Sequence, residues 1–97
     1  MKLSQNEVEL IGKWITVDNG ICCDAVCERI EWLTKYQLRK VAISKQWGGW
    51  ETLFQDIDDG RYWERTFPQS EMQGGGPPML KYLTVDQAKA KYVIANP

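Results

Sequence analysis

Residues Trp50 to Phe67 read WETLFQDIDDGRYWERTF. Trp50, Leu53 and Phe54 open a strand that runs to Gln55, Asp58-Asp59-Gly60 supplies a tight turn, and Arg61 to Phe67 carries the chain back. The stretch therefore predicts a β-hairpin, and with it a sheet-based fold. Side chains alternate along a strand, so Arg61 and Trp63 share one face of the returning arm while Tyr62 and Glu64 share the other. One of these faces must be core. Burial of Trp63 leaves Tyr62 and Glu64 on the more open side, or the reverse holds.

Downstream, Pro68 ends the strand and residues 69–78 form a loop closing on GGGPP, Gly74 to Pro78. Three successive glycines are entropically costly to order, so the loop needs unusual dihedrals or a close backbone approach, and the prolines fix its exit. Met79 to Leu83 is a short apolar segment suited to an edge or closing strand. Thr84 with Gln87 forms a capping box ahead of a terminal helix lined by Val85, Ala88 and Tyr92, with Lys89 and Lys91 near its negative end.

Upstream, Ser4 with Glu7 is a second capping-box pattern and predicts a short helix over residues 5–11. Lys13 to Val17 reads as a strand returning through Asp18-Asn19-Gly20 as Ile21 to Cys23. Asp24 can cap a helix in which Val26, Ile30 and Leu33 share a face; the rival is a strand over Glu28 to Leu33, and the helix is preferred. Tyr36 to Ile43 reads as another strand, followed by a polar, glycine-rich turn over residues 44–49. The expected architecture is one α+β domain spanning residues 1–97, a small antiparallel sheet of about four or five strands with two or three short helices.

A chain of 97 residues with five Trp, four Tyr and two Phe can bury roughly two thirds of its unfolded surface as one domain. It contains no apolar run near the ~20 residues of a membrane span, and MKLSQNEVEL lacks the apolar core of a signal peptide, so a cytoplasmic protein with no membrane partner is expected. Cys22, Cys23 and Cys27 are an odd number in a tight cluster, which favours reduced, partly buried thiols over a disulfide framework. A structural zinc site would want four ligands, and the chain has no histidine and no fourth cysteine, so neither a metal nor a cofactor is expected.

The net charge of −1 conceals an asymmetry. Residues 51–78 hold six acids against two bases, while the remainder holds seven acids against ten bases. An acidic, aromatic-bearing surface repels phosphate and suits a basic protein partner, so nucleic acid is not expected as a ligand. An enzyme reading would use Glu64 as general acid or base and Arg61 as an anion clamp, but no nucleophile motif, phosphate loop or His base accompanies them. A generic adaptor is a third reading. Arg61 among carboxylates could equally pin the hairpin through a local ion pair with an acid such as Asp58 or Glu64.

The order of motifs carries a resemblance: Gly49-Trp50, then DxxDGRYWE from Asp56 to Glu64, PxSE at Pro68, Ser70 and Glu71, then Gly74 to Pro78. With Gly12 and Trp14, Asp24 with Arg29-Ile30, and Ala88 with Lys91-Tyr92, it spans about residues 10–92 and resembles the immunity protein 27 family of bacterial polymorphic toxin systems. Two positions depart from the family pattern: a proline is usual where Ile57 stands, and a histidine is common where Gln73 stands. The resemblance implies a cytosolic, non-catalytic protein that binds a cognate toxin C-terminal domain; such toxins are often nucleases with basic clefts. Expected toxin contacts are Asp58, Asp59, Arg61, Tyr62, Glu64, Glu71 and the backbone of Gly74, Gly75 and Gly76, with aromatic side chains as anchors.

Overall fold

The computed structural model of the chain describes residues 2–18, 20–43, 51–68 and 76–94. Five strands form an antiparallel sheet in the order β1-β7-β6-β5-β4: β1 Glu9–Ile11, β4 Leu38–Ile43, β5 Thr52–Asp56, β6 Tyr62–Thr66 and β7 Met79–Leu83. A separate two-stranded ribbon pairs β2 Trp14–Val17 with β3 Gly20–Cys23. Helix α1 covers Ala25–Trp32 and runs directly into a π-helical turn, Leu33–Gln37; helix α2 covers Val85–Lys91. This is an α+β fold.

The β5–β6 hairpin forms as its sequence requires. Gly60 takes a φ of 79° at the turn, a left-handed conformation that only glycine adopts without strain. Asp56 N donates to Arg61 O at 2.9 Å, closing the turn. In β4 the register shifts between Lys40 and Ala42, a β-bulge that leaves Val41 as the extra residue. Met79 to Leu83 is a strand as expected, but an interior one, paired with β6 on one side and β1 on the other. Among the described strands, the sheet's edges are β1 and β4.

Both faces of the sheet are covered. On one face Ile30 of α1 and Leu33 of the π-helical turn pack with Leu10, Leu38, Phe54, Trp63 and Leu80. On the other, Ala88 of α2 and its C-cap Tyr92 pack with Leu53, Tyr62 and Leu83. Consecutive residues such as Leu53 and Phe54, or Tyr62 and Trp63, therefore enter different cores, as the two-residue period dictates. The expectation of one open face on β6 fails for this reason, since Tyr62, Trp63 and Glu64 are all buried.

Three local expectations are corrected. Residues 5–11 do not form a helix. Ser4 and Glu7 do meet, with Ser4 N donating to the Glu7 carboxylate at 2.8 Å, but the segment makes one turn and then extends as β1, where backbone pairing with β7 replaces helical bonds. The strand expected from Tyr36 starts at Leu38, because the π-helical turn holds residues 33–37. Cys23 and Cys27 are joined in a disulfide, with Cα atoms 5.6 Å apart, leaving Cys22 as the exposed free thiol; the turn from the end of β3 through the Asp24 cap into the first turn of α1 brings the two sulfurs together. The preferred helix forms as α1, whose N-cap Asp24 accepts from Cys27 N at 3.0 Å, and the rival strand over Glu28 to Leu33 does not.

Gly12 sits where the ribbon, α1 and β7 converge. Its N–H donates to the Pro78 carbonyl at 2.9 Å, and a Cβ there would lie 2.6 Å from Cys27 Sγ and 2.7 Å from Pro78 O. No larger residue fits without moving backbone.

Candidate functional site

The hairpin turn is tied down by its own acids. Asp56 is only 4% exposed, and its Oδ1 accepts from Asp58 N at 2.8 Å and from Gln37 Nε2 at 2.9 Å. The same Gln37 nitrogen lies 2.9 Å from Asp58 Oδ2, and Ile57 N donates to the Gln37 carbonyl at 3.3 Å. A proline at position 57 would have no N–H for that last bond, so isoleucine here links the turn to the end of the π-helical segment.

Asp58 and Asp59 are exposed, and each has a cation. Lys2 Nζ reaches Asp58 at 3.0 Å; its hydrogen bond, and then that of Gln37, hold the Asp58 carboxyl below the usual range. Asp59 accepts from Arg61 N at 2.9 Å and from Arg61 Nε at 2.7 Å. Arg61 therefore does make a local ion pair, but with Asp59 rather than with the Asp58 or Glu64 that the sequence suggested, since Lys2 and Lys91 take those two. The rest of the guanidinium reaches the Ser4 carbonyl at 3.1 Å and the Glu7 carbonyl at 3.5 Å, and it lies 5.1 Å over the Trp63 ring. Arg61 thus clasps the N-terminal segment to the hairpin.

Glu64 lies on the opposite face, 7% exposed beneath α2. It accepts from Tyr92 OH at 2.7 Å and pairs with Lys91 at 2.8 Å, while Lys91 also pairs with Glu51 at 2.7 Å. Burial and the Glu64 carboxylate push the Tyr92 hydroxyl far above its ordinary value. Burial pulls Lys91 down, yet its bonds to Glu51 and Glu64 raise it overall. Because Arg61 shares the α1 face with Trp63 and Glu64 shares the α2 face with Tyr62, those two side chains cannot converge on one substrate.

The expected contact residues fall into separate places. Asp58, Asp59 and Arg61 are together at the β5–β6 turn, whereas Tyr62 and Glu64 are covered by α2. Gly76 is at the far end of the hairpin, next to the point where Thr66 pairs with Met79, and it is buried with a φ of 72°. Glu71, Gly74 and Gly75 lie outside the described residues, as do Gly49, Trp50, Ser70 and Gln73 of the motifs.

The α1 side also presents residues that the sequence reading did not select. Glu28 and Glu31 are exposed on α1 and have no ion pair among the described residues; Tyr36 is exposed one turn beyond Trp32, their rings 6.0 Å apart. Beside them is a pocket of about 250 Å³ whose wall includes Ile30, Phe67 and Pro78. Arg65 enters it from β6. Its guanidinium lies 5.3 Å over the Phe54 ring and 5.6 Å over Phe67, and its buried Nε–H has no acceptor among the described residues. Burial lowers its pKa from the ordinary arginine value. The available signal was the two-residue period, which puts Arg65 on the face of Trp63, turned into an apolar core. A second exposed region is the ribbon, where Trp14, Ile15 and Ile21 reach solvent.

Among the described residues no group of His, Cys, Asp and Glu could hold a metal, and no helix is long and apolar enough to cross a membrane.

Comparison with curated proteins found no match, and comparison with solved structures found none. A family model does match, over residues 17–84: that of immunity protein 27. The matched span holds the Asp24 cap and Arg29-Ile30 of α1, the whole β5–β6 hairpin with its DxxDGRYWE turn, and β7. With well over half of the chain inside that match, the protein belongs to the immunity protein 27 family.

Proposed function

We propose that this protein binds a cognate toxin C-terminal domain in the cytoplasm and neutralises it by occupying or shielding its active surface, without catalysis of its own. The observation that carries the reading is the family match over residues 17–84. The acid distribution adds to it: six of the thirteen acids fall within residues 51–78 beside only two bases, and Glu28 and Glu31 add exposed carboxylates on α1. A toxin that cuts nucleic acid has a basic cleft, and acids set against such a cleft speed association and reject wrong partners. Asp58 and Asp59 are the proposed charged contacts at the turn, and Arg61 orients Asp59 there. Tyr62 and Glu64 support the hairpin from within.

The test is protection. Cells producing the cognate toxin domain should survive when the chain is supplied and die without it, and the two proteins should purify as a complex. Survival lost in Glu64→Gln while the complex persists would point to turnover and sink the binding-only reading. Absence of both protection and complex would sink the function itself.

A further inference from the structure

We infer that the pocket beside α1 is a receptor for one carboxylate side chain of the toxin, carried on a segment that is otherwise basic; this rests on the toxin-binding reading above. The Arg65 guanidinium rests against the rings of both Phe54 and Phe67, so its planar fork is held in place before any partner arrives. Its Nε–H is buried without an acceptor among the described residues, and neither Nη group has one among them, so a carboxylate entering the pocket meets open donors at the outer end of the fork and forms charge-assisted hydrogen bonds there. The about 250 Å³ of space is below the range usual for small-molecule sites and suits a single side chain against Ile30, Phe67 and Pro78.

The pocket's mouth narrows the choice further. Glu28 and Glu31 line it and have no cation among the described residues, so a free anion fills the pocket only at high concentration, because it meets repulsion on the way in. A carboxylate delivered by a Lys- or Arg-bearing segment does not, because its neighbours pair with the two glutamates. From Glu28 at this mouth, α1 and the π-helical turn run about 14 Å to Gln37, which holds Asp58. One side of the molecule therefore joins the Arg65 pocket to the acids of the turn, a reach that a standard-sized protein interface covers.

Two measurements test this on the full chain. The four arginine side-chain Nε–H signals can be followed by NMR during titration with sodium propionate and, separately, with inorganic phosphate. The Arg65 signal should move with propionate, while that of Arg61, already bonded to Asp59, should not; an unmoved Arg65 signal, or one answering only phosphate, overturns the carboxylate assignment. With an inactivated copy of the cognate toxin domain, Arg65→Ala should weaken binding by about 30-fold, and Arg65→Lys, a charge without the fork, should restore only part. Binding by Arg65→Ala at the wild-type affinity overturns the pocket and leaves toxin binding standing. Failure of the wild-type chain to bind that toxin overturns the parent reading and removes the toxin as occupant, whatever propionate does.

Discussion

Arg29 belongs to the Asp24, Arg29, Ile30 motif, and its part is to fasten the N-terminal segment to α1. Its guanidinium grips Glu7 with two bonds of 2.6 Å and donates a third, 2.7 Å long, to the Lys2 carbonyl. The hydrogen bond from Arg29, outweighing the opposing effect of burial, holds the Glu7 carboxyl down from 4.5 to about 2. At 1.36 kcal/mol per unit this corresponds to about 3.4 kcal/mol. Both side chains are about a quarter exposed, so solvent screening reduces the expected contribution to about 1–2 kcal/mol. Because the folded-state pKa is depressed, the contribution is complete above 4.5 and disappears as pH falls toward 2. Replacing Glu7 by Gln removes the charge at every pH. Wild type and Glu7→Gln should therefore differ by roughly 5–15 °C in melting temperature near neutrality, and the two curves should converge toward about pH 2. Acids elsewhere in the chain titrate in both proteins and cancel in the difference. A gap that stays constant from neutral to acid pH, or no gap at all, would refute the reasoning.

Gly12→Ala places a methyl 2.6 Å from Cys27 Sγ and 2.7 Å from Pro78 O; the overpacking, with loss of the Gly12–Pro78 hydrogen bond, should cost about 2–4 kcal/mol, read as a drop of roughly 10–25 °C in a thermal melt. Glu64→Gln loses its ion pair with Lys91 but keeps an acceptor for Tyr92, so urea unfolding should show a loss of about 1–3 kcal/mol while toxin affinity stays at the wild-type value. The raised Tyr92 and Lys91 pKa values stabilise the fold fully below their ordinary values of 10.0 and 10.5, and that stability should fall as pH climbs beyond them; Tyr92→Phe should flatten the alkaline limb of a stability–pH curve, and an unchanged limb would contradict the assignment. Asp58→Lys with Asp59→Lys should slow toxin association about 10-fold at low salt and leave dissociation nearly unchanged in stopped-flow traces.

What could be read from the chain depended on how far each residue reaches for its partner. Asp58-Asp59-Gly60 specifies its turn locally, and Thr84 with Gln87 forms both bonds of its capping box, 2.9 and 3.2 Å, within one helical turn. Met79 to Leu83 was legible as a strand from its apolar run, but its interior place was not, because β1 comes from the other end of the sequence. Ser4 and Glu7 carried a genuine local signal too. It survives as one turn, but the helix lost to the pairing of Glu9 to Ile11 with β7, while Arg29 and Arg61 bind Glu7 and the Ser4 carbonyl from 22 and 57 residues away. Glu64 looked like a surface acid because its partner Tyr92 stands 28 residues later, on a helix whose packing face the hairpin cannot announce. Arg65 was passed over for a related reason. Its setting is made by Phe54 on the neighbouring strand and by α1, neither adjacent to it in sequence.

The placement of β1 against β7 also bears on when this protein becomes whole. Every other pair in the five-stranded sheet joins strands that follow one another in the chain, but β1 ends at Ile11 and its partner does not begin until Met79. A ribosome that has delivered β4, β5 and β6 has supplied a meander able to pair by itself, while Glu9 to Ile11 waits for a strand not yet made. Closing so long a loop is entropically slow, and its reward comes only at the end, when Gly12 also finds the Pro78 carbonyl. Synthesis rate and the last-formed strand pair, more than the hairpin, then set the delay between translation and a complete fold.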